Sequence, residues 1–235
     1  ISIGLARTAE PEVALSSYAV GMSTLALFEM AAVMLRPATV ALVRTKDDAR
    51  VVFKTALAIL AALVGIPALL SLTPVLAWTY RRLLGVSPEL LDPAVGVFRI
   101  LLLLPLASGL RCFFQGLIIR ERRTGVITLG MIVRLGVMMV TMGTLVTFKP
   151  HWGGAIGAIT FLVGMCTEAL IAFWHGRQTQ VLRTPVSPSS DSHPETTVSS
   201  VLHFMFPLLI SGMAANSGRM LLNAGLAREA VPAEV

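Results

Sequence analysis

Apolar residues dominate the chain in long runs broken by short polar, often basic, stretches. About 20 helical residues cross a hydrocarbon core, and six runs reach that length, at 13–43, 55–80, 94–119, 124–148, 153–174 and 201–227. Residues 1–6 read as the tail of an earlier span, and both ends of the chain read as cut. The first run is too long for an upright crossing, so it is expected to tilt, kink or continue past the bilayer. Pro37 is the expected kink, with Pro67, Pro74, Pro105 and Pro207 as further breaks.

Composition agrees with this reading. Of 235 residues, 55% are hydrophobic and 14% charged, against about 25% charged in soluble domains. The net charge of +6 would suggest nucleic acid in a soluble protein, but the basic residues form no patch. They mark loops instead. Arg44, Lys46, Arg50, Lys54, Arg120, Arg122, Arg123, Arg177 and Arg183 fall on one side, nine in all. Arg7, Arg81, Arg82, Lys149 and Arg228 fall on the other. The richer side is expected to be cytoplasmic, in a multi-pass protein of the plasma (inner) membrane. Residues 178–199, rich in Ser, Thr and Pro, are expected to be a flexible cytoplasmic linker.

A self-comparison shows an internal repeat. Residues 1–14, ISIGLARTAEPEVA, match 222–235, LNAGLAREAVPAEV, at six of fourteen positions. An even number of spans lies between the copies, so the repeat would be parallel, about an axis along the membrane normal. The expected fold is all-α, with two six-helix lobes. Residues 1–177 would form the first lobe, 178–199 its linker, and 200–235 the opening helix of the second.

Seven ionisable residues fall inside the runs: Glu29, Arg36, Arg99, Arg111, Arg134, Glu168 and Arg219. Each costs about 2.5–3.5 kcal/mol at mid-helix on insertion scales, so each needs a protein or water partner. Counted at about 1.5 Å per residue, Arg111, Arg134 and Glu168 lie some 12, 15 and 9 Å from the cytoplasmic ends of consecutive helices. They are candidates for a charge cluster that either clamps the lobe or couples transport. Glu29 and Arg36 share a helical face by their spacing of seven, and Asn216 and Arg219 share one by their spacing of three. These four are the candidates for a substrate pathway between lobes. Arg99, near an outer end, is expected to snorkel. Arginine's planar fork suits carboxylates and phosphates, so the arginine excess favours an anionic small-molecule solute.

No nucleotide loop, H-E-x-x-H, G-x-S-x-G or Cys/His cage occurs, so neither an enzyme nor a metal or other cofactor is expected. Gly153, Gly154 and Gly157 are expected to allow close helix contact. Cys112 and Cys166 require no disulfide.

Several stretches resemble the progressive ankylosis family within the multidrug and toxic compound extrusion (MATE) and polysaccharide-flippase superfamily. They are Phe98-Arg99-Ile100 with Pro105, Leu110-Arg111 with Gly116, Arg123-Thr124 leading to Arg134-Leu135, and Gly154-Ala155 with Gly157, Gly164 and Glu168. The last run, HFMFPLLISGMAANSGRMLLN, matches at Pro207-Leu208, Arg219 and Asn223. The resemblance implies a MATE-like alternating-access transporter exporting anions such as pyrophosphate, nucleotides or citrate. The coupling ion, H+ or Na+, is left open. A lipid-linked glycan flippase of the same fold and a non-transporting membrane scaffold are the alternatives.

Overall fold

The computed structural model describes residues 1–82, 85–183 and 196–229, and of Leu27, Met213 and residues 215–229 the backbone alone. Every regular element among them is helical. In chain order these are α1 (Ser2–Leu5), α2 (Pro11–Val33), α3 (Leu35–Leu42), α4 (Lys46–Leu72), α5 (Pro74–Arg82), α6 (Pro88–Leu101), α7 (Leu104–Arg120), α8 (Gly125–Phe148), α9 (Gly154–Gly176), α10 (Gln180–Arg183) and α11 (Val198–Glu229). A 3-10 turn, Pro150–Trp152, joins α8 to α9.

Among the described residues, four helices are long and apolar enough to cross a membrane: Lys46–Leu72, Pro88–Arg120 taken as one, Gly125–Phe148 and Gly154–Gly176. A fifth span is formed if the bent pair Pro11–Ala26 and Phe28–Leu42, meeting at 49°, counts as one. The sixth run forms α11, which is apolar over its described part, Val198–Gly212. These apolar helices are compatible with a membrane protein.

Local chemistry explains where the boundaries moved. The second run, expected at 55–80, is split. Its helix begins at Lys46, because Thr45 and Asp48 form a capping box: Thr45 Oγ1 accepts from the Asp48 amide at 3.2 Å, and the Thr45 amide donates to Asp48 Oδ2 at 2.9 Å. It ends at Thr73, which the following Pro74 holds extended (φ −101°, ψ 159°). Pro37 has no amide for the Val33 carbonyl, and α2 stops at Val33 with a turn at Met34. Pro105 sits in the first turn of α7, after the break at Leu102 and Leu103. The helices run on through Pro67 and Pro207, so these two expected breaks do not interrupt them.

The loop after α7 is a Schellman motif. The Arg123 amide donates to the Ile118 carbonyl at 3.1 Å and the Arg122 amide to that of Ile119 at 2.8 Å. Arg122 takes the left-handed position, φ 58°, which glycine usually fills.

Helix α7 is the axis of the helical bundle, buried over most of Leu104–Ile118. One core cluster joins it to α3, α4 and the start of α11 through Leu35, Val52, Leu60, Phe113, Leu117 and Val201. A second, with Leu25, Tyr80, Phe98, Leu101, Leu104 and Met165, joins it to α2, α5, α6 and α9. Phe53, Phe113, Phe114 and Phe173 form a ring of aromatic contacts with centroids 5.0–6.3 Å apart, worth about 0.5–1.5 kcal/mol per good pair. Small residues set the closest approaches, as the sequence suggests at 153–157. A Cβ on Gly154 would strike the Ser17 side chain, and one on Gly157 would lie 2.9 Å from Tyr18 Cδ2.

The segment from 178 does not open as a loose linker. Thr179 is buried, its hydroxyl donating to the Gly176 carbonyl at 2.7 Å, and Val181 and Leu182 of α10 pack against the first core cluster. The rest of the expected linker, 184–195, lies outside the described residues. So does the end of the second repeat copy, 230–235, while 222–229 continue α11.

Candidate functional site: a charge network around one helix

Helix α7 carries a polar stripe in an otherwise apolar sequence: Ser108, Arg111, Cys112 and Gln115, at i, i+3, i+4 and i+7. That spacing puts all four on one face, and every one of them is buried. Burial without partners would be costly, and the neighbouring helices supply them.

Glu168 of α9 is the centre of the network. Its Oε1 accepts from Arg111 Nη1 at 3.2 Å and from Gln115 Nε2 at 2.8 Å, and its Oε2 accepts from Arg134 Nη1 of α8 at 2.9 Å. The Glu168 side chain is 1% exposed, that of Arg111 9% and that of Arg134 24%. A carboxylate with two arginines and an amide has both oxygens satisfied by obligate donors. The depth count thus brought three residues together that do meet in space. Gly164 makes the crossing possible: a Cβ there would strike the Met138 side chain and lie 3.3 Å from Arg134 Cγ, whereas one on Gly130 would meet Glu168 Cγ at an ordinary 3.5 Å. Arg134 also lies over the Phe161 ring, 5.6 Å from its centroid.

The network extends to the first bent helix. Arg111 Nη2 donates to Ser108 Oγ at 3.4 Å, and Ser108 Oγ donates to Glu29 Oε1 of α2 at 3.2 Å. Arg36 of α3 donates from Nη2 to Cys112 Sγ at 3.6 Å, with Arg111 Nη2 3.8 Å from the same sulfur. Glu29 and Arg36 therefore both face α7, where their partners Ser108 and Cys112 stand four residues, about one turn, apart. No carboxylate among the described residues lies within ion-pair distance of Arg36. Its buried Nε has no partner either, nor have those of Arg111 and Arg134 or Oε1 of Gln115.

Sequence reasoning missed Ser108, Cys112 and Gln115. They are neutral, so a search for ionisable residues passes over them, and their spacing around Arg111 is the signal that could have marked them. Arg99 stands apart from the network and donates to the Ser71 carbonyl at 2.9 Å, closing the end of α4. The side chains of Asn216 and Arg219 lie outside the described residues, although both positions are helical in α11.

A well-formed cleft lies elsewhere. About 320 Å³ opens between the start of α2, α6 and the turn before α9, lined by Glu10, Pro93, Ile100, His151 and Trp152 among others. No residue of the charge network lines it. Among the described residues, no cluster of His, Cys, Asp and Glu could hold a metal ion.

No protein-family model, curated protein or solved structure matches the chain.

Proposed function

We propose that the chain is the first lobe, with the opening helix of a second, of a MATE-like secondary transporter that moves anionic or amphipathic small solutes by rocking one lobe against the other. The resemblance to the progressive ankylosis family supports this reading, and so does the bias of basic loop residues, which by the positive-inside rule favours a cytoplasmic side for 178–199. The observation that carries it is Arg36. It is a half-buried guanidinium on a broken apolar helix, facing a thiol rather than a carboxylate. Glu168 already serves two arginines, so the described network holds three arginines against two carboxylates. An ionisable group in that setting is a functional candidate by default, and an unmatched arginine fits a carboxylate or phosphate best.

Arg219 and Asn216 on α11 would complete the pathway from the facing lobe. Arg111, Arg134 and Glu168 brace the first lobe in this reading, because a carboxylate with every acceptor satisfied has nothing left for a solute.

Uptake of labelled citrate and pyrophosphate into liposomes holding the full-length protein tests the proposal. Arg36→Ala is expected to cut uptake about tenfold or more, the loss of one charge-assisted contact of about 1.5–3 kcal/mol, with partial recovery in Arg36→Lys. Transport unchanged in Arg36→Ala and Arg219→Ala removes both residues from the mechanism.

A further inference from the structure

The two carboxylates of the network differ in their partners. Glu168 faces two arginines and the amide nitrogen of Gln115, groups that only donate. Such a shell suits the ionised form alone. Glu29 has one hydrogen-bond partner among the described residues, the hydroxyl of Ser108. A hydroxyl rotates: it donates to a carboxylate and accepts from a carboxylic acid. Ser108 can therefore hold Glu29 in either protonation state, while Arg111 keeps its own bond to the same oxygen.

Among the described residues no cation lies within ion-pair distance of Glu29, although Arg111 and Arg134 are near enough for their fields to reach it, and Tyr18 shares its helix. Arg36 on α3 points at the next turn of α7, and Glu168 on α9 is consumed by its arginines. Arg99 of α6 is committed to the Ser71 carbonyl, and the other charges of α6, Glu89 and Asp92, lie in its first turns. Helix α4 carries charge only over 46–54, and the one ionisable side chain described on α11, His203, is exposed. Glu29 itself is half-buried, so the carboxyl is not sealed inside the lobe.

We propose that Glu29 is a reversible proton-binding site within the lobe, and that its occupancy sets the charge of the cluster presented at Arg36. The proton adds to a carboxylate oxygen and leaves from it, with no other bond changed. With Glu29 ionised, the described cluster of Glu29, Arg36, Arg111, Arg134 and Glu168 carries +1; with Glu29 protonated it carries +2. Ser108 and Cys112 are one turn of α7 apart, about 6 Å, so charge at one site is felt at the other. Protonation at Glu29 then strengthens anion binding at Arg36 by about tenfold or more, and anion binding favours protonation equally. This second step rests on the transport reading above; the proton site does not.

The test treats the full-length protein in liposomes with dicyclohexylcarbodiimide, an apolar reagent that adds to protonated carboxyls, over a series of pH values. Adducts are mapped by mass spectrometry. Expected is an adduct on Glu29 that rises as the pH falls, with Glu168 unmodified throughout. No adduct on Glu29, one that ignores pH, or preferential modification of Glu168 overturns the proton site. In parallel, citrate uptake by Glu29→Gln is compared with wild type, which cancels the titration of citrate itself. Glu29→Gln is expected to hold the wild type's low-pH rate at every pH. Retention of the wild-type pH profile in Glu29→Gln overturns the linkage. A wild type that moves no citrate counts against the transport reading, and the labelling still decides the proton site.

Discussion

Replacing Glu168 by glutamine keeps the shape of the side chain and removes its charge. Two arginines and an amide nitrogen then face a neutral oxygen and a second amide. Arg111, 9% exposed, has no other carboxylate within ion-pair distance among the described residues, whereas Arg134, 24% exposed, retains some solvation and the Phe161 ring. Breaking a buried ion pair costs about 3–5 kcal/mol in soluble proteins. Polar contacts between membrane helices average only about 0.6 kcal/mol, because the separated helices find other partners. The first figure governs here: three donors converge on one carboxylate, and Arg111 lies inside the lobe, where separated helices would leave it against lipid. We expect Glu168→Gln to lose about 3 kcal/mol or more, Arg111→Met to follow closely, and Arg134→Met to lose about 1 kcal/mol. Unfolding of the full chain in mixed micelles by titration with sodium dodecyl sulfate, followed by circular dichroism, measures all three. A triple change to Met, Met and Leu at 111, 134 and 168 should recover to within about 1 kcal/mol of wild type, since matched apolar replacement of buried ions is often neutral. A Glu168→Gln protein as stable as wild type would refute the central place given to this carboxylate. So would an Arg134→Met loss exceeding that of Arg111→Met.

Two further outcomes concern the backbone. Arg122→Gly relieves a left-handed residue at the end of α7 and should raise stability by up to about 1 kcal/mol in the same titration. Gly116→Ala places a Cβ 2.6 Å from Thr39 Cβ and 3.1 Å from the Arg36 carbonyl oxygen, whereas a Cβ on Gly136 meets nothing within 4 Å. The first should cost about 1–3 kcal/mol by overpacking, and the second should be neutral or stabilising by up to about 1 kcal/mol through helix propensity.

The helices were legible because apolar runs of this length have few other solutions. Boundaries were less so. Hydropathy began the second run at 55 because charged residues precede it, yet the Thr45–Asp48 capping box was present in the sequence and starts the helix at Lys46. Pro37, Pro74 and Pro105 did interrupt helices near where they stand, and Pro67 did not, a difference that depends on neighbours rather than on the proline. In the network, depth alone assembled Arg111, Arg134 and Glu168, since charges in apolar helices must converge. Spacing put Glu29 and Arg36 on one face, but not which helix they would meet. The bend and the turn at Met34 carry both onto α7. Ser108 and Gln115 stayed hidden because a neutral polar residue in a helix is silent until its partner is seen.

Helices α7 and α8 are adjoining lengths of one chain, yet they would tolerate change in opposite ways. Nearly every side chain of α7 is enclosed, so both size and polarity are constrained there. On α8 only Gly130 is buried, and Leu129, Ile132, Leu135, Met139, Val140 and Phe148 are exposed. Over generations the exposed positions of α8 can drift among apolar residues of any shape, while Gly130, Arg134 and the side chains packed against α9, such as Met138, are held. Its sequence would come to record the lipid or lobe beside it, while that of α7 would preserve the lobe's own interior.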